Sequence, residues 1–418
     1  MPTTLKTICP ISFRRYSTLK ILGPIVDGFA TWLLEQRYNV CYLKCRICLV
    51  PYIETVLLKR GIRHVSETSP SDWAACERSV LRRFPDQSGI TYALQKYLHF
   101  RNFLKPTKQK ETSTAKYLAL YAHYLETVRG AAVHTIKQNS CTAAKFLAHL
   151  NFEKHPRRLK MLSAQDVEAF VQKISRRCSR ASVRCIAGRI RSFLRFLAFK
   201  GAVPQGLDLQ IDTPRVYGAE QLPRALGWET VETFLNSIDR SHLTGLRDFT
   251  MFYLMAIYGL RASDITALTL DNIQWRARKI CLSQRKTGTA LELPLTDAAG
   301  TALYLYLKKV VLPPSRHLFF RFKAPVGVLT TAAVSTRFRM WARRSRTEMP
   351  GWGSCHRIRH SYAVFLLRSG TAVKTISDIL GHRTLESTST YLRLAIEDLR
   401  DVALPVPTGP QERKAVRA

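Results

Sequence analysis

Between residues 204 and 226 the chain carries Pro204, Gly206, Pro214, Gly218 and Pro223. A proline inside a helix removes a main-chain donor and clashes with the preceding turn, and inside a central strand it removes a ladder bond. No regular element runs through that spacing, so 204–226 reads as an extended linker with separate bodies on either side. Upstream, residues 115–203 are helical throughout. Leu118, Tyr121, Ala122 and Leu125 recur at helical spacing, and so do Val183, Ile186, Ile190, Phe193, Leu194 and Leu197. The second of these helices also carries Arg180, Arg184, Arg189, Arg191 and Arg195, which gives it an apolar side and a basic side suited to phosphates. Downstream, 227–400 is the longest coherent unit. It has helices over Trp228–Ile238 and Leu246–Leu260, then strands Lys279–Gln284 and Ala290–Leu295 around Lys286-Thr287-Gly288, then three more helical runs. Residues 1–105 form a basic helical module, joined through Pro106 and the polar run Thr107–Thr114, and 401–418 reads as a flexible tail. The expected fold is mostly α with one small β-sheet.

A chain of 418 residues accommodates two or three such bodies, at roughly 100–200 residues each. Its 65 Lys and Arg outnumber 30 Asp and Glu, a formal net charge of +35, so the first candidate partner is a polyanion, DNA or RNA. The longest apolar stretch, Phe249–Leu260, falls well short of the ~20 residues a membrane helix needs, and the N-terminus lacks the layout of a signal peptide. A cytoplasmic, nucleoid-associated protein without membrane partner is expected, with its ten cysteines reduced. Cys41, Cys45 and Cys48 match the three-cysteine spacing of radical enzymes that hold an iron–sulfur cluster. Interleaved with Val40, Leu43, Ile47 and Leu49, they read instead as small apolar residues of a buried helix, since no glycine-rich cofactor contacts accompany them. No metal and no cofactor are expected.

The last third holds residues with chemistry to offer. Arg261 follows an apolar helix and Gly259; alone it could simply answer a helix dipole, but Asp264 stands close enough to hold its guanidinium. Lys286 sits in the hairpin turn, where a lysine is ordinarily just solvated. His356 and Arg359, three apart in His356-Arg357-Ile358-Arg359-His360-Ser361, share a helix face. A guanidinium is a permanently charged fork of donors and an imidazole can move a proton near neutral pH, a combination suited to phosphate. His382 follows Gly381 in a turn, and that break lets it share a cleft with Tyr391, nine residues on.

Taken in order, Arg261, Lys286, His356-x-x-Arg359, Gly381-His382 and Tyr391 resemble the signature of the tyrosine recombinases, also called the phage integrase family. The surrounding words Tyr258-Gly259-Leu260-Arg261, Arg359-His360-Ser361, Leu380-Gly381-His382 and Thr390-Tyr391 match it too. The wording is similar to the recombinases of bacterial insertion elements and transposons. Asp264 departs from the family's usual glutamate by one carbon. The likeness is specific over 227–400, weaker over 115–203, which resembles the family's core-binding (SAM-like) domain, and loose over the first hundred residues.

The resemblance implies a helical core-binding domain and an α/β catalytic domain that close on double-stranded DNA as a clamp. It implies a site-specific recombinase acting through a 3′-phosphotyrosyl intermediate, with Tyr391 the nucleophile, Arg261 and Arg359 on the non-bridging oxygens, and Lys286 the general acid. His356 is implied as proton acceptor or phosphate donor, and His382 as a donor to phosphate. Cations near Tyr391 should favour its phenolate. Assembly as a homo- or hetero-tetramer on two DNA sites, with possible partner recombinases and Ile396–Val402 as an exchanged segment, follows by the same likeness. The alternatives are a silent accessory DNA-binding protein, a type IB topoisomerase and an RNA binder; the last accounts for the charge but not for the ordered residue set.

Overall fold

The computed structural model describes residues 4–10, 13–87, 89–104, 112–216, 225–286, 288–345, 354–382 and 384–394. The tail 401–418, the exchange segment Ile396–Val402, residues 217–224 of the expected linker and Thr107–Lys110 lie outside them. The chain divides into two compact units, one of Ser66–Pro70 and Leu98–Gln221, the other of Met1–Val65, Ser71–Tyr97 and Leu222–Ala418. The fold is mostly helical with small antiparallel sheets, as the sequence leads one to expect.

The N-terminal residues form α1 (Thr4–Ile8), α2 (Phe13–Ser17), α3 (Gly23–Glu35), α4 (Val40–Ile47), α5 (Val50–Lys59), α6 (Pro70–Arg83) and α7 (Ile90–Phe100). Phe29, Trp32 and Tyr97 pack as an aromatic cluster between α3 and α7. The buried Glu54 carboxylate accepts the main-chain N–H groups of Lys20, Ile21 and Leu22 at 2.7, 3.1 and 2.8 Å, which satisfies donors where α3 begins. The expectation of buried cysteines fails on α4. Leu43, Arg46 and Ile47 take its inner face, while Cys41, Cys45 and Cys48 are exposed. Arg46 earns that place by lying over the Tyr42 ring at 4.5 Å and donating to Gln87 O at 3.0 Å. Among the described residues no group of three or more His, Cys, Asp or Glu could hold a metal ion.

The unit of Leu98–Gln221 contains α8 (Ser113–Thr127), α9 (Val133–His149), α10 (Ala164–Ser175) and α11 (Arg180–Phe199). Tyr121, Phe146, Phe193 and Phe196 fill its core. Ser163 and Asp166 cap α10 reciprocally, and Ser179 caps α11. The basic face of α11 is partly committed to the protein itself. Arg184 donates to Val216 O, Arg191 to Ile211 O and Thr213, and Arg195 pairs with Asp208. Those bonds, with burial of Val203, Leu207 and Ile211, hold residues 203–216 against the helices.

Residues 225–394 form α12 (Trp228–Asn236), α13 (Leu243–Tyr258), α14 (Ala262–Ala267), β1 (Ile273–Gln274), β2 (Lys279–Ser283), β3 (Ala290–Pro294), α15 (Asp297–Lys309), β4 (Phe320–Arg321), β5 (Gly327–Val328), α16 (Thr331–Arg344), α17 (His356–Arg368), α18 (Val373–Leu380), α19 (Glu386–Ser389) and a 3₁₀ turn, Thr390–Leu394. The sheet runs β1-β2-β3, antiparallel, with Ile280 opposite Leu293 and Leu282 opposite Leu291 on the buried face. The apolar α13 lies at the centre, against α15 on one side and α17 on the other. It ends at Gly259, in the left-handed conformation, where a Cβ would stand 2.6 Å from Leu380 and 2.8 Å from Tyr362. Only a glycine lets α13 end this close to α17 and α18.

Candidate active site

Arg261 is the N-cap of α14, and Asp264 accepts its main-chain N–H at 3.4 Å. The two side chains stand 3.9 Å apart, so Asp264 holds the guanidinium only loosely. The tighter partner is Gln284, at the end of β2, whose Oε1 accepts from Arg261 Nη1. The Gln284 amide nitrogen donates in turn to Leu380 O at 2.9 Å. Arg359, on the first turns of α17, donates to Gly259 O at 2.6 Å and to Leu380 O at 2.7 Å. Two carbonyls that terminate helices and one side-chain amide thus aim two guanidinium groups. Both are buried, Arg261 at 9% exposure and Arg359 at 4%. Burial, then the Arg261 charge, pulls Arg359 down to about 10, which still leaves it charged at neutral pH.

The remaining residues surround this pair. Lys286 is exposed in the turn after β2, near enough for its charge to depress both His356 and His382. His356 is solvent-exposed; partial burial first, then Arg359, Lys286 and Arg261, lower its pKa. His382 follows the left-handed Gly381, its N–H bonded to Ser377 O, and its Nδ1 lies 2.7 Å from the Thr388 hydroxyl. Burial, then Arg359 and Arg261, bring His382 down to about 4. A Cβ at Gly381 would meet the Gln284 amide at 2.5 Å, so the turn and the brace of Arg261 are built against one another.

Tyr391 lies in the last 3₁₀ turn, 4% exposed and packed with Ala363, Val364, Ile376 and Leu380. Its hydroxyl is 2.9 Å from His360 Nδ1, and its ring is nearly parallel to that of His382. Arg359 and Arg261 do push Tyr391 toward phenolate, as expected, but burial acts against them. Burial raises the Tyr391 pKa and outweighs the lowering by Arg359 and Arg261. The resting residue is a neutral phenol.

The fold therefore gathers the six expected residues around the two arginines: His356, His382 and Tyr391 each feel Arg261 and Arg359, and Lys286 acts on His356 and His382. Of three further contributors, Gln284 and Thr388 carried no sequence signal, and His360 stood in the matching word Arg359-His360-Ser361 without a role assigned to it. At neutral pH the centre holds two buried guanidinium groups and neutral imidazoles, an arrangement that binds an oxyanion and can move protons beside it.

The chain matches the phage integrase family over residues 225–397. A putative integrase/recombinase of Sinorhizobium fredii, y4rA, is 26% identical over 398 residues, 93% of this chain and 96% of that protein. A second one from the same organism, y4gC, is 36% identical over 188 residues, covering 44% of this chain and 97% of the relative. The tyrosine recombinase XerD of Listeria monocytogenes is 27% identical over 288 residues, 68% of this chain and 95% of its own. The solved structure of the Tn1549 transposon integrase in complex with a circular intermediate DNA shares the fold, with a TM-score of 0.52 at 16% identity, over 68% of this chain and 99% of that one. The chain belongs to the phage integrase family, the tyrosine recombinases, enzymes that cleave and rejoin DNA.

Proposed function

We propose that the protein is a site-specific recombinase that exchanges DNA strands through a 3′-phosphotyrosyl intermediate on Tyr391. The observation that carries this reading is the pair of buried guanidinium groups held by neutral partners close to the tyrosine. Charge of that kind, only loosely paired with Asp264 and fixed in place, stabilises the negative charge that builds on phosphate oxygens in the transition state. Arg261 and Arg359 grip the non-bridging oxygens. His356 and His382 donate to the same oxygens, and Lys286, exposed in its turn, protonates the departing 5′-oxygen. The covalent intermediate conserves the phosphodiester energy, so a 5′-hydroxyl from another strand can attack it without ATP. The core-binding segment 115–203 and the catalytic segment 227–400 would both contact the duplex, with two DNA sites brought together in a tetramer of this chain or of this chain and partner recombinases.

A nicked suicide substrate made from the ends of the gene's own element tests the reading. In EDTA, wild-type protein is expected to give a protease-sensitive adduct of low mobility on a denaturing gel. Tyr391→Phe is expected to give none while shifting the same DNA in a native gel. Specific binding by wild type without adduct would move the assignment to an accessory DNA-binding protein. Relaxation of plasmid lacking any element end would move it to a type IB topoisomerase.

A further inference from the structure

The group in contact with the Tyr391 hydroxyl is His360, and among the described residues no hydrogen bond joins Tyr391 to His356. We propose that His360 is a catalytic residue of this site, the acceptor that takes the proton from Tyr391 as its oxygen attacks phosphorus. The proposal rests on the phosphotyrosyl reading above and deepens it.

The geometry is specific. His360 stands one residue after Arg359 on α17, so the helix that aims the guanidinium also fixes the imidazole. Nδ1 lies 2.9 Å from the phenolic oxygen, within the reach that general-base catalysis requires. With the ring proton on Nε2, Nδ1 accepts from the hydroxyl. His356 and Arg359 on α17, His382 after α18 and Tyr391 on the final turn are the titratable or charged groups that act on this ring or border it. Burial, then the charges of His356 and Arg359, bring His360 down to about 4, so at neutral pH it is a free base. In the resting protein it is too weak a base to ionise a tyrosine whose own pKa is raised. A phosphate seated on Arg261 and Arg359 offsets the cations that depress His360 and strengthens it once substrate is bound.

The step balances. The Tyr391 O–H bond breaks and its proton passes to Nδ1. The tyrosyl oxygen bonds to phosphorus as the bond to the 5′-oxygen breaks, and that oxygen leaves with a proton from Lys286. In rejoining, an incoming 5′-hydroxyl gives its proton to Lys286 and the imidazolium returns one to the phenolate.

A substrate with sulfur at the 5′-bridging position isolates the tyrosine side, because a thiolate leaves without a proton. His360→Ala is expected to slow adduct formation about 100-fold, equally on the oxygen and sulfur substrates, with DNA binding and melting temperature unchanged. Lys286→Ala should be slow with oxygen and restored by sulfur. His360→Asn keeps an acceptor for the hydroxyl but no base, and is expected to stay at least about tenfold slow. Undiminished cleavage by His360→Ala, rescue of it by sulfur, or wild-type rates with His360→Asn would each overturn the assignment. Absence of adduct with wild type itself overturns the phosphotyrosyl reading, and this one with it.

Discussion

Two pairs of arginines serve residues 225–394, and they are held in opposite ways. Arg247 and Arg337 share the carboxylate of Asp248, which is 0% exposed. One oxygen of Asp248 accepts Arg247 Nε and Nη2 at 3.0 and 2.6 Å; the other accepts Arg337 Nε and, at 2.9 Å, the Trp341 indole. Arg247 also donates to Phe320 O at 2.8 Å and lies over the Phe322 ring. That cluster ties α13 to α16 and β4, and its anion is built in. Arg261 and Arg359 are as deeply buried, but their close partners are the Gln284 amide and the carbonyls of Gly259 and Leu380. The nearest carboxylate, Asp264, is 3.9 Å from Arg261. Each cluster sets two guanidinium groups against one carboxylate, but only here is the carboxylate out of hydrogen-bond contact with them, and donors held that way mark where an anion is to be received. The same residue type is a staple in one place and a receptor in the other, and the partner decides which.

The comparison is most strongly tested by removing one member from each side. Asp248→Ala leaves Arg247 buried without its anion and is expected to cost about 3–5 kcal/mol of stability in urea unfolding. Arg359→Ala removes a buried charge that no carboxylate hydrogen-bonds, so its stability should stay within about 1 kcal/mol of wild type. Its adduct formation should fall about 100- to 1,000-fold, as loss of a preorganised donor does. If Arg359→Ala unfolds as readily as Asp248→Ala, the two clusters are the same kind of thing and the distinction is wrong.

This contrast also marks how far the sequence could be read. The six ordered residues were legible because their identities and order repeat a known pattern, and the β2–β3 hairpin was legible because alternating residues bracket a turn. Gln284 was not, because its role arises from a contact with a carbonyl 96 residues away and glutamines at strand ends are commonplace. Asp248 was hidden in the same way, 89 residues from Arg337. The cysteines of α4 show the other failure. Cys41, Cys45 and Cys48 lie on one helical stripe, but periodicity says which residues share a face, not which face is inward. Leu43 and Ile47 outweigh thiols in that choice. The cations that favour the Tyr391 phenolate were legible in the motif, but the depth of burial that outweighs them was not.

An intermediate change should turn the receptor toward the staple. Gln284→Glu places a carboxylate against Arg261, supplying in place the anion that Asp248 gives Arg247. The attraction is offset by repulsion from the Leu380 carbonyl that the amide now donates to. Stability is expected to stay within about 1 kcal/mol of wild type. Adduct formation should fall at least tenfold, since part of the charge meant for phosphate is already neutralised. A variant that cleaves at the wild-type rate would show that neutral partners are not what readies Arg261.

The smallest expected effect concerns pH. The receptor carries imidazoles and the Asp248 cluster carries none. His360 and His382 sit at about 4 when folded, against 6.5 for the free side chain. Between those values the unfolded chain binds more protons than the folded one, so stability present above pH 6.5 is lost as pH falls toward 4. Both rings are partly open to solvent, which reduces the effect to about 1 kcal/mol each. Asp166 and Asp239, held below the usual carboxylate range by their serine partners, stay charged to pH 5 and do not blur the window. Urea midpoints at pH 7 and pH 5 should therefore separate for wild type, and the gap should shrink by about half in His382→Asn, where His360 keeps its share. DNA carrying the element end should narrow the same gap, because a phosphate between Arg261 and Arg359 lets the folded site take up the proton that it otherwise refuses. An equal pH dependence with and without DNA would mean that the phosphate does not seat among these imidazoles, and the receptor would have to be sought elsewhere on the chain.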